Sequence, residues 1–302
     1  MQLLDLNLLH ATVRVATPIL LAAVGRSFNG STGIVNVALE GTMLLSAFSA
    51  VVFSYYTASA LIGVIAGMLA GLLTSAIFAG FNQELGADER IAAMAVNILA
   101  LGLTIYLLRT LFGVMGAFSS PKIIGLPLND LPWLQAIPII GPIFNKQATI
   151  TYIALLIVPI AYVIIFKTPF GQRLRAVGHN PEAAAAVGIS VKKYRYIGFL
   201  VAGVACGLAG AFLSLSYLTM FTENMTGGRG FIAVAANILG QNHPFAILGA
   251  SLLFGYADVL TVNLQMQATR IPAQIPLMAP YVLTLISLVI SRPKKPKSPA
   301  KN

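Results

Sequence analysis

Three long apolar runs, Ile150–Phe166, Ile197–Leu218 and Pro276–Ile290, constrain this chain more than any other feature. Each is near the ~20 residues that a helix needs to cross a ~30 Å hydrocarbon core. A helix can make that crossing because it satisfies its backbone N–H and C=O groups internally. Charge points the same way, since 9% of the residues are charged against about 25% in a soluble domain. The hydrophobic pattern places spans at 11–25, 33–54, 58–81, 91–113, 148–166, 196–220, 245–263 and 276–291, and a short apolar segment at 229–241. That segment reads as re-entrant. The expected fold is all-α: one polytopic transmembrane domain over 1–302, with about 8–10 helices by span length, some of them broken.

The net charge of +10 is a topology signal rather than a nucleic-acid footprint. Lys167, Arg173, Arg175, Lys192, Lys193 and Arg195 fall in one connection, and Arg292, Lys294, Lys295, Lys297 and Lys301 in the tail. Short loops rich in Lys and Arg stay cytoplasmic. Counting outward from 167–195 and the 292–302 tail puts 82–90 inside, and 114–147 and the N-terminus outside. Loop 114–147 carries Pro121, Pro127, Pro132, Pro138 and Pro142 with the only tryptophan, Trp133, and reads as a stiffened outer connection with an interfacial ring. Cys206 has no second cysteine to pair with. The opening residues lack a basic region and a cleavage site, so no cleaved leader is expected.

Within the spans, Gly63, Gly67, Gly71 and Gly203, Gly207 recur every fourth residue, a spacing that lets helix backbones approach in lipid. A weak internal repeat aligns IAAMAVNIL (91–99) with FIAVAANIL (231–239), placing Asn97 over Asn237. A second aligns GIVNVALEG (33–41) with GFIAVAANI (230–238), placing Glu40 over Asn237. Polar side chains inside a membrane are expensive and therefore informative. Asn36, Glu40, Asn97 and Asn237 are the candidates for a polar translocation path, with Asp258 behind them. The same groups could instead satisfy broken-helix backbone or bond neighbouring helices. Arg229, between glycines at a helix start, could face a solute or anchor at the interface. His10, His179 and His243 lack metal-ligand spacing, so no metal site is expected. NGS (29–31) and NMT (224–226) are glycosylation sequons by pattern only. There is no phosphate loop, HExxH or GxSxG, so the chain offers no means of hydrolysing ATP and no hydrolase centre.

The basic connection contains a complete miniature helix, NPEAAAAVG, at 180–188. Asn180 is a preferred N-cap, Pro181 suits the first helical position, and Glu182 complements the helix dipole. Ala183–Ala186 favour helix, and Gly188 can end it in a left-handed conformation. The result is a slim rod of roughly 10 Å, suited to a partner's groove or serving as a plain connector.

Around that rod, FGQRLRAVGHNPEAAAAVGISVKKYR (170–195) resembles the cytoplasmic loop of permeases of ATP-binding-cassette (ABC) importers in the branched-chain amino acid, ribose and simple-sugar group. STGIVNVALEGTMLLSAF and GGRGFIAVAANILGQNHPFAILGASLLFGYADVL resemble the nucleoside and simple-sugar branch, and the likeness covers about residues 11–290. The resemblance implies a bacterial plasma-membrane permease with no cofactor of its own. Its implied partners are a cytoplasmic ABC ATPase carrying ATP and Mg, a second permease subunit (identical or homologous) and an external substrate-binding lipoprotein. It also implies that Arg175, Asn180, Pro181, Glu182, Ala183, Ala184 and Gly188 couple ATPase motion to the membrane helices. On this reading Ala184→Asp or Gly188→Trp abolishes transport and leaves insertion intact. A secondary transporter with Glu40 or Asp258 as proton relay, an intramembrane enzyme and a passive channel are the rivals, and uptake surviving without an ATPase would favour the first.

Overall fold

The computed structural model describes residues 6–130 and 140–267; Trp133, the expected span 276–291 and the basic tail lie outside the described residues. The helices are α1 (Leu6–Ser31), α2 (Leu39–Thr57), α3 (Ala60–Gln83), α4 (Glu89–Phe112), α5 (Ile140–Phe144), α6 (Thr149–Tyr162), α7 (Pro169–His179), α8 (Pro181–Ala186), α9 (Val191–Phe212), α10 (Arg229–Leu239) and α11 (Pro244–Gln267). Wider π-helical turns prolong α6 to Lys167 and α9 to Tyr217. Among the described residues, six helices are long and apolar enough to cross a membrane. The protein is therefore an all-α, multi-pass membrane protein.

Local chemistry sets the helix ends. Asp88 caps α4 by accepting from the backbone N–H groups of Arg90 (2.9 Å) and Ile91 (3.1 Å), and Gly113 closes it in the left-handed conformation. Ser59 and Thr168 cap α3 and α7 in the same way. Four two-residue strands tie the long connection down: β1 (Ala117–Phe118) pairs with β4 (Phe221–Thr222), and β2 (Leu128–Asn129) with β3 (Gln147–Ala148), both antiparallel.

Helices α1 and α9 are buried along most of their length, while α3 and α4 present apolar side chains such as Leu61, Leu69, Ile91 and Ile98 outward. The glycine stripes seen in the sequence face each other. A Cβ at Gly203 would stand 2.6 Å from the Gly71 carbonyl oxygen, and one at Gly207 would stand 2.5 Å from Met68 Cα. Backbone-to-backbone contact of α3 and α9 requires the missing side chains.

Two groups of connections mark opposite ends of the bundle. At one end the start of α1 meets the long connection, where Gln147 Nε2 donates to the His10 carbonyl at 3.1 Å. At the other end the basic segment meets the α3–α4 turn: Lys192 forms an ion pair with Glu84, and Tyr196 donates to the same carboxylate at 2.9 Å. Those two donors hold the Glu84 carboxyl below the usual range, Lys192 foremost.

The helix limits depart from the expected spans most at α1, at α2 and at the start of α9, which begins at Val191 rather than 196, whereas the short segment at 229–241 is short as expected. Helix α1 runs to Ser31 rather than ending at 25, so Arg26 is carried inside it. Helix α2 begins at Leu39, six residues later than expected, because 32–38 is unwound: Gly33 has φ +81°, and Asn36 Oδ1 accepts from the Ala38 N–H at 2.9 Å. Helix α10 has 11 residues, about 16 Å of helix, roughly half a crossing.

Candidate translocation site

Helix α10 is preceded by Gly228, which has no side chain to cap the first N–H groups. Glu40, on the first turn of α2, supplies what is missing. Its two carboxylate oxygens accept from the backbone N–H groups of Gly228 (2.8 Å) and Gly230 (2.6 Å). The carboxylate also complements the positive end of the helix dipole. Only glycine fits at 230, because a Cβ there would stand 2.5 Å from Glu40 Cα. Glu40 is thus committed to a helix end 188 residues away.

Asn97 does for the first half what Glu40 does for the second. Its Oδ1 accepts from the Gly41 N–H at 2.8 Å, and its Nδ2 donates to the Val37 carbonyl at 3.1 Å, bridging the start of α2. Asn36 ties the unwound segment to itself through Ala38 and to α1 through its carbonyl, which accepts from Arg26 Nε at 2.9 Å. Arg26 also donates to Asn237 Oδ1, while Asn237 Nδ2 donates to the Ala23 carbonyl at 3.0 Å. The four candidate residues therefore sit at the two breaks in the helices, Asn97 and Glu40 at the start of α2 and Asn36 and Asn237 around Arg26.

Arg26 itself escaped the sequence reading. It follows the apolar run PILLAAVG, just past the expected span 11–25, yet it is 4% exposed, and among the described residues no carboxylate lies within ion-pair distance. Its lone position at the end of an unbroken apolar stretch was the available signal. It lines a cavity of about 280 Å³ with Gly30 of α1, Gly33 of the unwound segment, Asn237, Gln241 and Asn242, at the same end as the basic connection. Arg26→Lys is expected to lower the melting temperature of the purified protein, because an ammonium cannot span both acceptors as the planar fork does. Losing one such bond costs about 1.5–3 kcal/mol.

A family model described as the permease component of branched-chain amino acid transport systems matches residues 8–290. The chain belongs to that permease family. It is 37% identical to the guanosine ABC transporter permease protein NupQ of Bacillus subtilis, over 95% of this chain and 93% of that one. It is 36% identical to the nucleoside ABC transporter permease protein NupC of Lactococcus lactis, over 91% and 89%.

In this permease the basic connection folds as α7 and α8. Asn180 Oδ1 accepts from the Ala183 N–H at 3.0 Å, Pro181 opens α8, and Gly188 ends it at φ +80°. Glu182, Ala183, Ala185, Ala186 and Val187 are exposed, whereas Ala184 is buried against the protein. Arg175 lies over the Phe166 ring, 5.0 Å from its centroid, instead of reaching outward from the rod. Gly178 of α7 touches the unwound segment directly: a Cβ there would overlap the Ser31 carbonyl and stand 3.0 Å from the Gly33 amide nitrogen. The rod is thus two residues from a contact with the break that holds Asn36.

Proposed function

We propose that this permease is the membrane-spanning subunit of an ABC importer that carries nucleosides. The reading rests on its identity of 36–37%, over nine-tenths of its length, to permeases named for guanosine and nucleoside transport. ATP and Mg act on a partner ATPase, a second permease completes the path, and an external binding protein delivers the solute. The basic segment and tail face the cytoplasm, and 114–147 faces outward. This orientation follows the positive-inside rule.

In this scheme ATPase motion enters through the exposed face of α8, passes from α7 to the unwound segment at Gly178, and reaches the breaks held by Asn36, Glu40, Asn97 and Asn237. These four shape the path by fixing the interrupted backbone on either side of it. The test is uptake of labelled guanosine by vesicles containing the permease, its ATPase and its binding protein. Uptake should require ATP, compete with other nucleosides and ignore free pentoses. Uptake of pentoses alone, or uptake that an uncoupler abolishes without the ATPase, would overturn the reading.

The variant that best tests coupling changes with the geometry of α8. Ala184 points inward, so Ala184→Asp would disturb the rod's own packing, and Gly188→Trp would strain a left-handed backbone. Val187 is 74% exposed. Val187→Asp is expected to abolish guanosine uptake and co-purification with the ATPase while leaving the melting temperature unchanged. Unaltered uptake in that variant removes α8 from the coupling scheme.

A further inference from the structure

Away from the basic segment, two half-buried arginines from two helices converge on one aromatic ring, with a half-buried carboxylate on a third helix nearby. Arg14 on α1 and Arg229 at the start of α10 place their guanidinium carbons 5.3 and 5.7 Å from the centroid of Tyr217, which ends the π turn of α9. Arg14 Nη2 donates to the carbonyls of Ser216 (3.0 Å) and Tyr217 (3.3 Å), so its position is fixed by the helix end. Asp258 on α11 lies within electrostatic reach of Arg229. Helix α11 is brought against α1 by Gly255, where a Cβ would stand 2.8 Å from that of Ala16, and Asp258 follows one turn later. Among the described residues, neither a hydrogen bond nor a close ion pair engages the Asp258 carboxylate. Ser216 Oγ and Thr226 Oγ1, beside the cluster in the chain, are buried without partners.

Arg14 and Arg229 are held by backbone carbonyls, Arg229 by that of Thr226 at 3.5 Å, but a half-buried carboxylate without a hydrogen bond is costly inside a membrane protein unless something polar enters beside it. Their chemistry describes the visitor. An ionised carboxylate only accepts, which suits vicinal hydroxyls, as carboxylates do for ribose in dinucleotide sites. Tyr and Arg planes suit a heteroaromatic base. We propose that Arg14, Tyr217, Arg229 and Asp258 form a nucleoside-binding station on the translocation path, with Asp258 accepting the ribose hydroxyls and the Tyr217–arginine planes facing the base. The inference rests on the nucleoside reading above and adds residues to it.

The test uses the complete transporter in vesicles, with the binding protein saturated beforehand, so that maximal rates report the permease and not capture. Guanosine should move about tenfold faster than 2′,3′-dideoxyguanosine, because a site built for hydroxyls rejects an analogue lacking them. Asp258→Asn should lower the guanosine rate about tenfold, leave the dideoxy rate unchanged and bring the ratio near one. Tyr217→Leu should lower both rates together, because it removes the plane that faces the base in either solute. Should Asp258→Asn fail to assemble, Asp258→Glu displaces the carboxylate and should likewise depress guanosine alone. A wild-type ratio near one, or an Asp258 variant that keeps the wild-type ratio, overturns the station and leaves the nucleoside reading standing. No nucleoside uptake by the wild type overturns both.

Discussion

Glu40→Gln is expected to abolish transport and to lower the stability of the purified permease by about 3 kcal/mol or more. The carboxylate accepts at both oxygens, from Gly228 and Gly230. A carboxamide keeps one acceptor and turns an NH₂ group toward the second N–H. One buried donor is then left unpaired beside another donor. Loss of a charge-assisted bond costs about 1.5–3 kcal/mol, and the loss of negative charge at the helix start adds up to ~2 kcal/mol in a buried setting. Thermal unfolding of the detergent-purified protein measures this directly. The proton-relay rival predicts the opposite pattern: Glu40→Gln would hold the melting temperature and change only the pH dependence of uptake. A stable, inactive Glu40→Gln protein would therefore move Glu40 from scaffold to chemistry.

Gly178→Val is expected to separate ATP hydrolysis from uptake. A side chain at 178 overlaps the Ser31 carbonyl and crowds the Gly33 amide. Neither neighbour is a flexible side chain end, so backbone must move. Overpacking of this kind costs about 1–3 kcal/mol. If the contact is tighter in one conformation than in the other, the strain shifts the population by about tenfold or more, at roughly 1.4 kcal/mol per decade. Hydrolysis by the assembled transporter should persist while guanosine moved per ATP falls about tenfold. A Gly178→Val transporter with the wild-type ratio of uptake to hydrolysis would remove this contact from the transmission route. Gly178→Ala, with the smallest added side chain, should lie between.

The order of spans and the capped rod were legible because both are local signals. Apolar runs report lipid contact residue by residue, and Asn180, Pro181 and Gly188 each act within one turn of the helix they bound. The short segment at 229–241 was legible for the same reason, since its length alone forbids a full crossing. The repeat was informative in a different way: Asn97 spends its carboxamide on the backbone around the start of α2, and Asn237 donates its Nδ2 to the backbone of α1. What the sequence could not reveal is pairing over distance. Nothing near Glu40 announces Gly228 and Gly230, and nothing near Arg26 announces Asn237, 211 residues later. The unwinding of 32–38 was legible in part, since Gly30, Gly33 and Gly41 bracket a stretch whose backbone they allow to unwind; its bounds were masked by the apolar residues that fill it, and the extension of α1 past residue 25 was hidden by the charge at Arg26. The small side chain of Ala184 was read correctly as part of a slim rod, but its inward direction depends on how α8 packs.

The bonds from Arg26 to Asn237, from Asn237 to the Ala23 carbonyl and from Glu40 to the start of α10 all join the front of the chain to its back. They behave like rivets through two plates. A body fastened at these points resists bending where they are set, so a large opening between α2 and α10 would have to shear buried charged bonds. In the importer proposed above, the working joints would then fall away from these rivets, at the Gly178 contact and at the seam with the proposed second permease.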